Sequence, residues 1–206
     1  MFAALLHFKL ATTTLAGWMT AQSPMPTAAP VLALLVEAEA QSPIEVSLYD
    51  GNYQVETRVL LERDGSADAD TVKKMAFAFR ARGGSEKPLS PKLLSMVADL
   101  ATQYGRPIEF MSAYRSGAWE GPHYAARALD FRIQGVDLRT VRDYLWAKYS
   151  EIGLGWYPTE QFLHLDSRPG IPDCAWTFLN GKEHYHPHWE VTARQGVKRE
   201  RHRPGS

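Results

Sequence analysis

The 206-residue chain has few of the features that mark several large classes of protein. Its single cysteine, Cys174, excludes an intramolecular disulfide and any zinc site built from several thiolates. Basic and acidic residues number 23 each, and the resulting net charge of zero argues against a nucleic-acid partner. The apolar run at residues 31–36 is far shorter than the roughly 20 residues that span a bilayer. One compact domain with modest extensions remains.

The two ends of the chain differ from its middle. Residues 1–29 contain apolar residues followed by an uncharged stretch at 11–19, a pattern typical of a secretory signal peptide or an uncleaved N-terminal anchor. Residues 30–43 lie among prolines and predict a linker. Residues 181–206 are interpreted as a His-containing basic C-terminal tail, and the basic run at 194–203, with a local excess charge of +4, predicts a disordered end. We expect these basic residues to contact anionic wall polymer or a membrane surface.

Residues 44–180 carry the pattern of a folded α+β domain. Two strands at 44–49 and 54–61 flank an Asp-Gly-Asn turn and predict a hairpin. Apolar residues at helical spacing then predict three helices. The first is an α-helix of about four turns that begins after Asp68 and Asp70 and ends at Gly83 and Gly84. The second lies between Ser90 and Gly105, and the third is capped by Asp137.

Two segments with strict alternation decide which polar side chains can meet. Residues 128–133 place three apolar side chains on one face of a strand and Asp130 on the other, and residues 162–166 do the same for His164 and Asp166. If the two strands are neighbours in one sheet, Asp130 and His164 converge, and His123 can join them from the preceding turn. Two imidazoles and one carboxylate are the ligand set of an open catalytic zinc site.

Four short motifs occur in a fixed order along this part of the chain. They are Met-Ser-Ala-Tyr-Arg-Ser at 111–116, His123 with Asp130 seven residues later, Gly-Leu-Gly-Trp-Tyr-Pro at 153–158, and Phe-Leu-His-Leu-Asp at 162–166. Together they resemble the zinc D,D-peptidase clan of D-alanyl-D-alanine carboxypeptidases, murein endopeptidases and the hedgehog signalling domain. Within it the chain resembles the murein endopeptidase K branch, over roughly residues 44–168. The resemblance implies an α+β fold with an antiparallel sheet flanked by helices.

The resemblance also implies roles for individual residues. His123, Asp130 and His164 are expected to bind Zn²⁺, and Arg115 is expected to hold the scissile carbonyl or the charge that develops on it. An arginine suits that role because it is always charged, and because a cation aimed at the developing oxyanion stabilises it more than the substrate.

The proton acceptor is less well defined by the sequence. Many clan members place a glutamate three residues before the last histidine ligand, where this chain has Gln161, which cannot take a proton. Asp166 matches the murein endopeptidase K branch and lies about 6.6 Å from His164 along an extended strand. We expect Asp166 to act as the catalytic base or to orient a ligand. Glu160 can serve only if residues 159–161 turn back.

Three further features bear on the expected site. The family often has glycine where this chain has Ala126, and alanine is strained wherever a positive φ is required. The link between Arg115 and His123 is short, which removes part of one wall of the substrate groove. Histidines near the C-terminus could add a ligand or a proton carrier. They are His184, His186 and His188.

The resemblance implies a zinc-dependent peptidoglycan hydrolase that cuts an amide bond next to a D-amino acid in wall peptides. Endopeptidase action is favoured over D,D-carboxypeptidase action. We expect a monomer in the periplasm or cell envelope, tethered there if the N-terminal segment stays uncleaved. The alternative is a non-catalytic module that keeps zinc for stability or binds wall components or a protein in its groove.

Overall fold

The computed structural model describes residues 42–117 and 120–201, with side chains described as far as residue 195. The expected leader, nearly all of the expected linker and the last five residues lie outside this part of the chain. No helix in the described part is both long enough and apolar enough to pass through a bilayer.

In the described residues, eight strands form one mixed sheet, in the order β2-β1-β3-β4-β6-β5-β7-β8. The strands are β1 Ile44–Asp50, β2 Val55–Leu61, β3 Ile108–Ser112, β4 Ala128–Ile133, β5 Ile152–Tyr157, β6 Phe162–Ser167, β7 Cys174–Leu179 and β8 Lys182–Tyr185. The β1/β3 and β5/β7 pairs are parallel, which corrects the purely antiparallel sheet expected from the sequence. A long helical connection leads from β2 to β3, which lies parallel to β1 and antiparallel to β4. Strand β7 lies parallel to β5 and antiparallel to β8.

The described part of the chain contains four helices. They are α1 Ala69–Ala78, α2 Pro91–Tyr104, α3 Leu138–Lys148 and α4 His188–Arg201. The expected caps are confirmed, since the side chain of Ser90 accepts from the Leu93 amide and Asp137 accepts from the first amides of α3. Helix α1 is shorter than expected and ends well before the glycine pair at 83 and 84. The next positions on its buried face are Arg82 and Gly83, which add no apolar side chain.

Regular structure continues past residue 180, into the segment that the sequence assigned to the C-terminal tail. Strand β8 pairs with β7, and α4 packs on α3. The Trp189 ring lies edge-on to the Trp146 ring at 5.8 Å, and its indole nitrogen donates to Thr177 Oγ1 over 2.9 Å. Because Trp189 is buried in the core, residues 182–195 are part of the fold.

The sheet has two chemically different faces. One face packs against the helices and carries the buried apolar side chains of the alternating strands, among them Leu129, Phe131 and Leu163. The opposite face carries Asp130 and His164, as the alternation predicts. The polar residues of interest therefore share the face that the core does not use.

Candidate metal centre

One row of residues crosses the sheet on its polar face. In the β4/β6 register Asp130 lies directly opposite His164, so their side chains are neighbours. A register shift between Phe110 and Ser112 in β3 brings Ser112 opposite Asp130. Following the register outward gives the complete row, which is Ser112, Asp130, His164, Gly155, Trp176 and Tyr185.

His123 completes a tight cluster with Asp130 and His164. It lies buried in the turn that leads into β4, and its Nε2 is 3.3 Å from both His164 Nδ1 and Asp130 Oδ1. His164 Nδ1 is 2.8 Å from the same Asp130 oxygen. The three side chains that the spacing singled out therefore meet, and each offers a ligand atom to a common point.

The outer nitrogen of each imidazole is held by an acceptor. His123 Nδ1 donates to the Ala113 carbonyl oxygen over 2.6 Å, and His164 Nε2 donates to Asp166 Oδ2 over 3.2 Å. A carbonyl oxygen or an ionised carboxylate can only accept, so each outer nitrogen carries its proton. The inner nitrogens face Asp130, and they can bind a metal once they give up the proton shared with that carboxylate, an arrangement that supporting hydrogen bonds give to metal-binding histidines.

The spacing of the ligand atoms fits a tetrahedral ion of the size of zinc. Zinc bonds of 2.0–2.2 Å to nitrogen and oxygen place tetrahedral ligands about 3.3–3.6 Å apart. The three atoms lie 2.8–3.3 Å apart, so a small outward movement admits the ion. With three protein ligands, one tetrahedral position stays open for water or substrate.

The charges of the cluster favour an ionised carboxylate. Burial alone raises the pKa of Asp130, but hydrogen bonds from His123 and His164 and the charge of these rings outweigh it and lower the pKa. At His164 burial lowers the pKa, but hydrogen bonds to Asp130 and Asp166 and their negative charges outweigh burial, so the pKa is raised overall. Asp130 is therefore an anion around neutral pH, as a metal ligand must be.

Asp166 lies behind His164 and is fixed by Arg168. It is 1% exposed, and its two oxygens accept from Arg168 Nε at 2.9 Å and Nη2 at 3.2 Å. Gly153 lies opposite Asp166, and a Cβ at Gly153 would fall 2.0 Å from Asp166 Oδ2. Glycine is thus required here to make room for the ion pair. These contacts suit the orientation of a ligand better than proton transfer, because a base must reach water.

Trp176 covers the neighbouring glycine and flanks the cluster. A Cβ at Gly155 would lie 2.4 Å from the Trp176 ring, and that ring is centred 5.2 Å from the imidazole of His164. The indole nitrogen donates to Tyr157 Oη over 3.2 Å. Sequence reasoning missed Trp176. The signal that could have found it is the pair of glycines, 153 and 155, on the polar face of one strand.

The substitution Gly155→Ala tests this packing. The added methyl group must displace the Trp176 ring, and overpacking of this kind costs about 1–3 kcal/mol of the free energy of unfolding. Gly83→Ala is the matched control, because a Cβ there meets nothing within 4 Å, and we expect it to change stability by less than about 0.5 kcal/mol. Urea unfolding measures both variants, and equal effects would contradict the packing described for Gly155.

Arg115 lies beside the cluster, where the sequence expects it. Its Nη2 donates to Asp130 Oδ2 over 2.5 Å and its Nε to Ser112 Oγ over 2.7 Å. The side chain is half-exposed and lines a groove of about 710 Å³ that also borders Asp130. Arg115 therefore presents its positive charge to the groove while it orients a cluster carboxylate.

Other residues singled out from the sequence lie outside the cluster. Gln161 and Glu160 are exposed in the turn between β5 and β6, and the Gln161 side chain donates to the Pro158 carbonyl. His184 is opposite Thr177, which contacts the helix side of the sheet, and His186 pairs with Glu190. Within the described ranges, the His123, Asp130 and His164 group is the one cluster that could hold a metal, so it includes none of His184, His186 and His188.

Ala126 has the left-handed conformation that the family glycine suggested. Its φ is +53°, and the residue is fully buried between His123 and β4. Its amide donates to the His123 carbonyl over 3.1 Å, so the strained residue closes the turn that carries His123.

The family described as "Peptidoglycan L,D-endopeptidase MepK" matches residues 38–170, which include all three cluster residues and more than half of the chain. The chain belongs to this family. The MepK family match confirms the resemblance to the zinc D,D-peptidase clan that the four motifs indicated.

A curated relative of the MepK family agrees with this assignment. It is a probable peptidoglycan L,D-endopeptidase MepK from Haemophilus influenzae, 29% identical over 115 residues. The alignment covers 48% of this chain, and the chain spans 61% of the length of that relative. No solved structure gave a significant match.

Proposed function

We propose that this protein is a zinc-dependent peptidoglycan endopeptidase that hydrolyses the amide bond between an L- and a D-amino acid in wall peptides. The observation that carries the proposal is the cluster of His123, Asp130 and His164 beside an open groove, in a chain of the MepK family. The family description and the name of the H. influenzae relative support the substrate class and the L,D bond.

Zinc would be held by His123 Nε2, Asp130 Oδ1 and His164 Nδ1. When bound, it supplies a Lewis acid that polarises the scissile carbonyl and lowers the pKa of water toward about 7. The protein side of this chemistry is orientation. The Ala113 carbonyl fixes the ring of His123, and Asp166 fixes the ring of His164, so both inner nitrogens point at one place.

Arg115 is the residue that we assign to the substrate carbonyl. Its guanidinium is anchored on Asp130 and Ser112, which keeps it next to the ligands, and half of its side chain faces solvent. A fixed cation aimed at the carbonyl oxygen stabilises the negative charge of the tetrahedral state more than the neutral substrate. Arg115 is also too basic to lose its proton to that oxygen.

Asp166 acts in this proposal by positioning His164, and not as the base. The Arg168 fork keeps its carboxylate ionised, since burial raises the pKa of Asp166 but hydrogen bonds from His164 and Arg168 lower it by more. Its near-complete burial separates it from the groove. Arg168 therefore fixes Asp166, and Asp166 fixes the His164 ring so that its Nδ1 faces the cluster.

A non-catalytic module of the same fold is the second candidate. The observation that favours it is Gln161, which stands where many clan members have a glutamate and whose side chain turns to Pro158 instead of the cluster. Such a module would bind zinc and peptidoglycan peptides without hydrolysis.

The test is digestion of purified crosslinked muropeptides by the zinc-loaded protein, followed by mass spectrometry. Endopeptidase action predicts two products of each cleavage. One has a new carboxylate on the L-residue of an L,D bond, and the other has a new amine on the D-residue. A new amine at any other bond would contradict the assigned specificity. Intact muropeptides in the presence of stoichiometric zinc would contradict catalysis and favour the binding module.

We place the protein in the cell envelope, where its substrate lies. Residues 1–29 are proposed as the export signal, and the basic residues beyond 195 as a contact for anionic wall polymer. N-terminal sequencing of mature protein tests export. A start near residue 30 is expected for a cleaved leader, and Met1 at the start would exclude cleavage.

A further inference from the structure

The groove beside Asp130 extends to a second wall that carries two arginines. Arg115 and Asp130 line it near the metal cluster, whereas Arg80 and Arg82 line it from the segment that follows α1. Asn52, in the turn between β1 and β2, joins these arginines in the same wall. We call the surface formed by Arg80, Arg82 and Asn52 the arginine wall. The proposed chemistry of the cluster does not use it.

Arg82 is held in place by one edge of its guanidinium. Nη2 donates to Asn52 Oδ1 over 3.2 Å. The side-chain Nδ2 of Asn52 donates to the Met111 carbonyl over 2.8 Å, which fixes the orientation of the side-chain amide. A guanidinium has five N–H donors, so most of them are left for a ligand. No carboxylate lies within 4 Å of Arg82 in the part of the chain that is described.

Arg80, which lines the same groove, is held by two aromatic rings. Its guanidinium carbon lies 4.1 Å from the centre of the Phe77 ring and 5.5 Å from that of Tyr53, and its Nη1 donates to the Phe77 carbonyl over 2.8 Å. Among the described residues Arg80 also has no carboxylate partner, unlike Arg58 and Arg132, which both form ion pairs.

The two carboxylates that line the groove in the described ranges have other partners and form no ion pair with the arginine wall. Asp50 Oδ1 accepts from the amides of Asn52 and Tyr53, so it caps the β1–β2 turn. Asp130 is engaged by Arg115 and by the two histidines. The arginine wall therefore presents two guanidinium groups without a carboxylate partner among the described residues, in the same groove that Asp130 and Arg115 line.

We propose that Arg82, with Arg80 in the same groove, binds a free carboxylate of the substrate peptide, away from the scissile bond. The inference rests on the proposed endopeptidase function and identifies its substrate as an acidic peptide. An arginine fork matches a carboxylate with two parallel hydrogen bonds, which fixes the orientation of the peptide as well as its affinity. Binding there places the peptide along the groove with its amide bond near Arg115.

The experiment compares one purified crosslinked muropeptide with the same compound after its carboxylates are converted to amides. The wild-type protein is expected to show a lower KM for the acidic form. Arg82→Gln is expected to raise the KM for the acidic form about tenfold with little change in kcat, and to leave the KM for the amidated form unchanged. Arg82→Lys keeps the charge without the fork and should fall between them. Arg58→Gln, on β2 outside the groove, removes the same charge and should match wild type.

Two outcomes would overturn the inference. One is an Arg82→Gln variant that behaves like Arg58→Gln on the acidic peptide, and the other is an equal rise of KM for both forms, which would indicate altered groove shape. Failure of the proposed function is distinguishable, since the zinc-loaded wild type would then cleave neither form. Calorimetric binding of the same two compounds then decides, because carboxylate recognition still predicts about tenfold weaker binding of the acidic form alone by Arg82→Gln.

Discussion

The variant His164→Ala is expected to purify without stoichiometric zinc and to lose measurable cleavage of crosslinked muropeptides. The substitution removes the ligand atom Nδ1 and leaves the carboxylates of Asp130 and Asp166 facing each other across an empty position. The loss of zinc affinity should exceed the roughly 10–100-fold that follows when only a supporting partner of a ligand is removed. Zinc content is measured by elemental analysis after dialysis, and cleavage by mass spectrometry.

His184→Ala is the matched control for this prediction. His184 is exposed on β8 and lies opposite Thr177, away from the polar face that carries the cluster. Its replacement should leave both zinc content and cleavage at the level of the parent protein. Retention of one zinc ion per chain by His164→Ala, or loss of zinc from His184→Ala, would contradict the assigned ligand set.

Asp166→Ala is expected to weaken zinc binding by about 10–100-fold, because the His164 ring loses the acceptor that orients it. Saturating zinc should then restore cleavage to within about tenfold of the parent. Arg168→Met should weaken zinc binding in the same direction by less, since the Asp166 carboxylate remains but loses its fork. Zinc affinity is measured by competition with a chelator, and cleavage at saturating zinc.

The opposite assignment makes a different prediction for the same variant. If Asp166 is the base, Asp166→Ala retains parental zinc affinity and loses about 10²–10⁴-fold in kcat that no amount of zinc restores. Asp166→Asn sharpens the comparison, because its amide oxygen can still accept from His164 Nε2 but cannot take a proton. Near-normal zinc affinity with abolished turnover in both variants would contradict the positioning role.

The local parts of the site could be predicted from the sequence. A strand alternates its side chains strictly, so the apolar residues around Asp130 and His164 fix the face on which each lies. Caps are equally local, and Ser90 and Asp137 start their helices where expected. Asp130 and His164 were expected to converge if β4 and β6 were neighbours, but the register that places them directly opposite each other is not encoded in the alternation.

Features that depend on distant contacts could not be predicted. The direction of β3 against β1 is set by the path of two intervening helices, and no short pattern encodes it. Strand β8 is polar and exposed, and α4 is anchored through Trp189 on α3 and β7. Local sequence patterns therefore do not show that the segment after residue 180 is part of the fold. Arg82 showed no motif either, because its partner Asn52 is 30 residues away.

Titration of metal-free protein with zinc, with muropeptide cleavage measured at each step, tests the central claim most directly. If His123, Asp130 and His164 form the catalytic zinc site, cleavage rises in proportion to added zinc and stops rising at one ion per chain. The new amine should lie at an L,D bond throughout. Full cleavage by protein that holds no zinc, or no cleavage at one bound zinc per chain, would contradict the account.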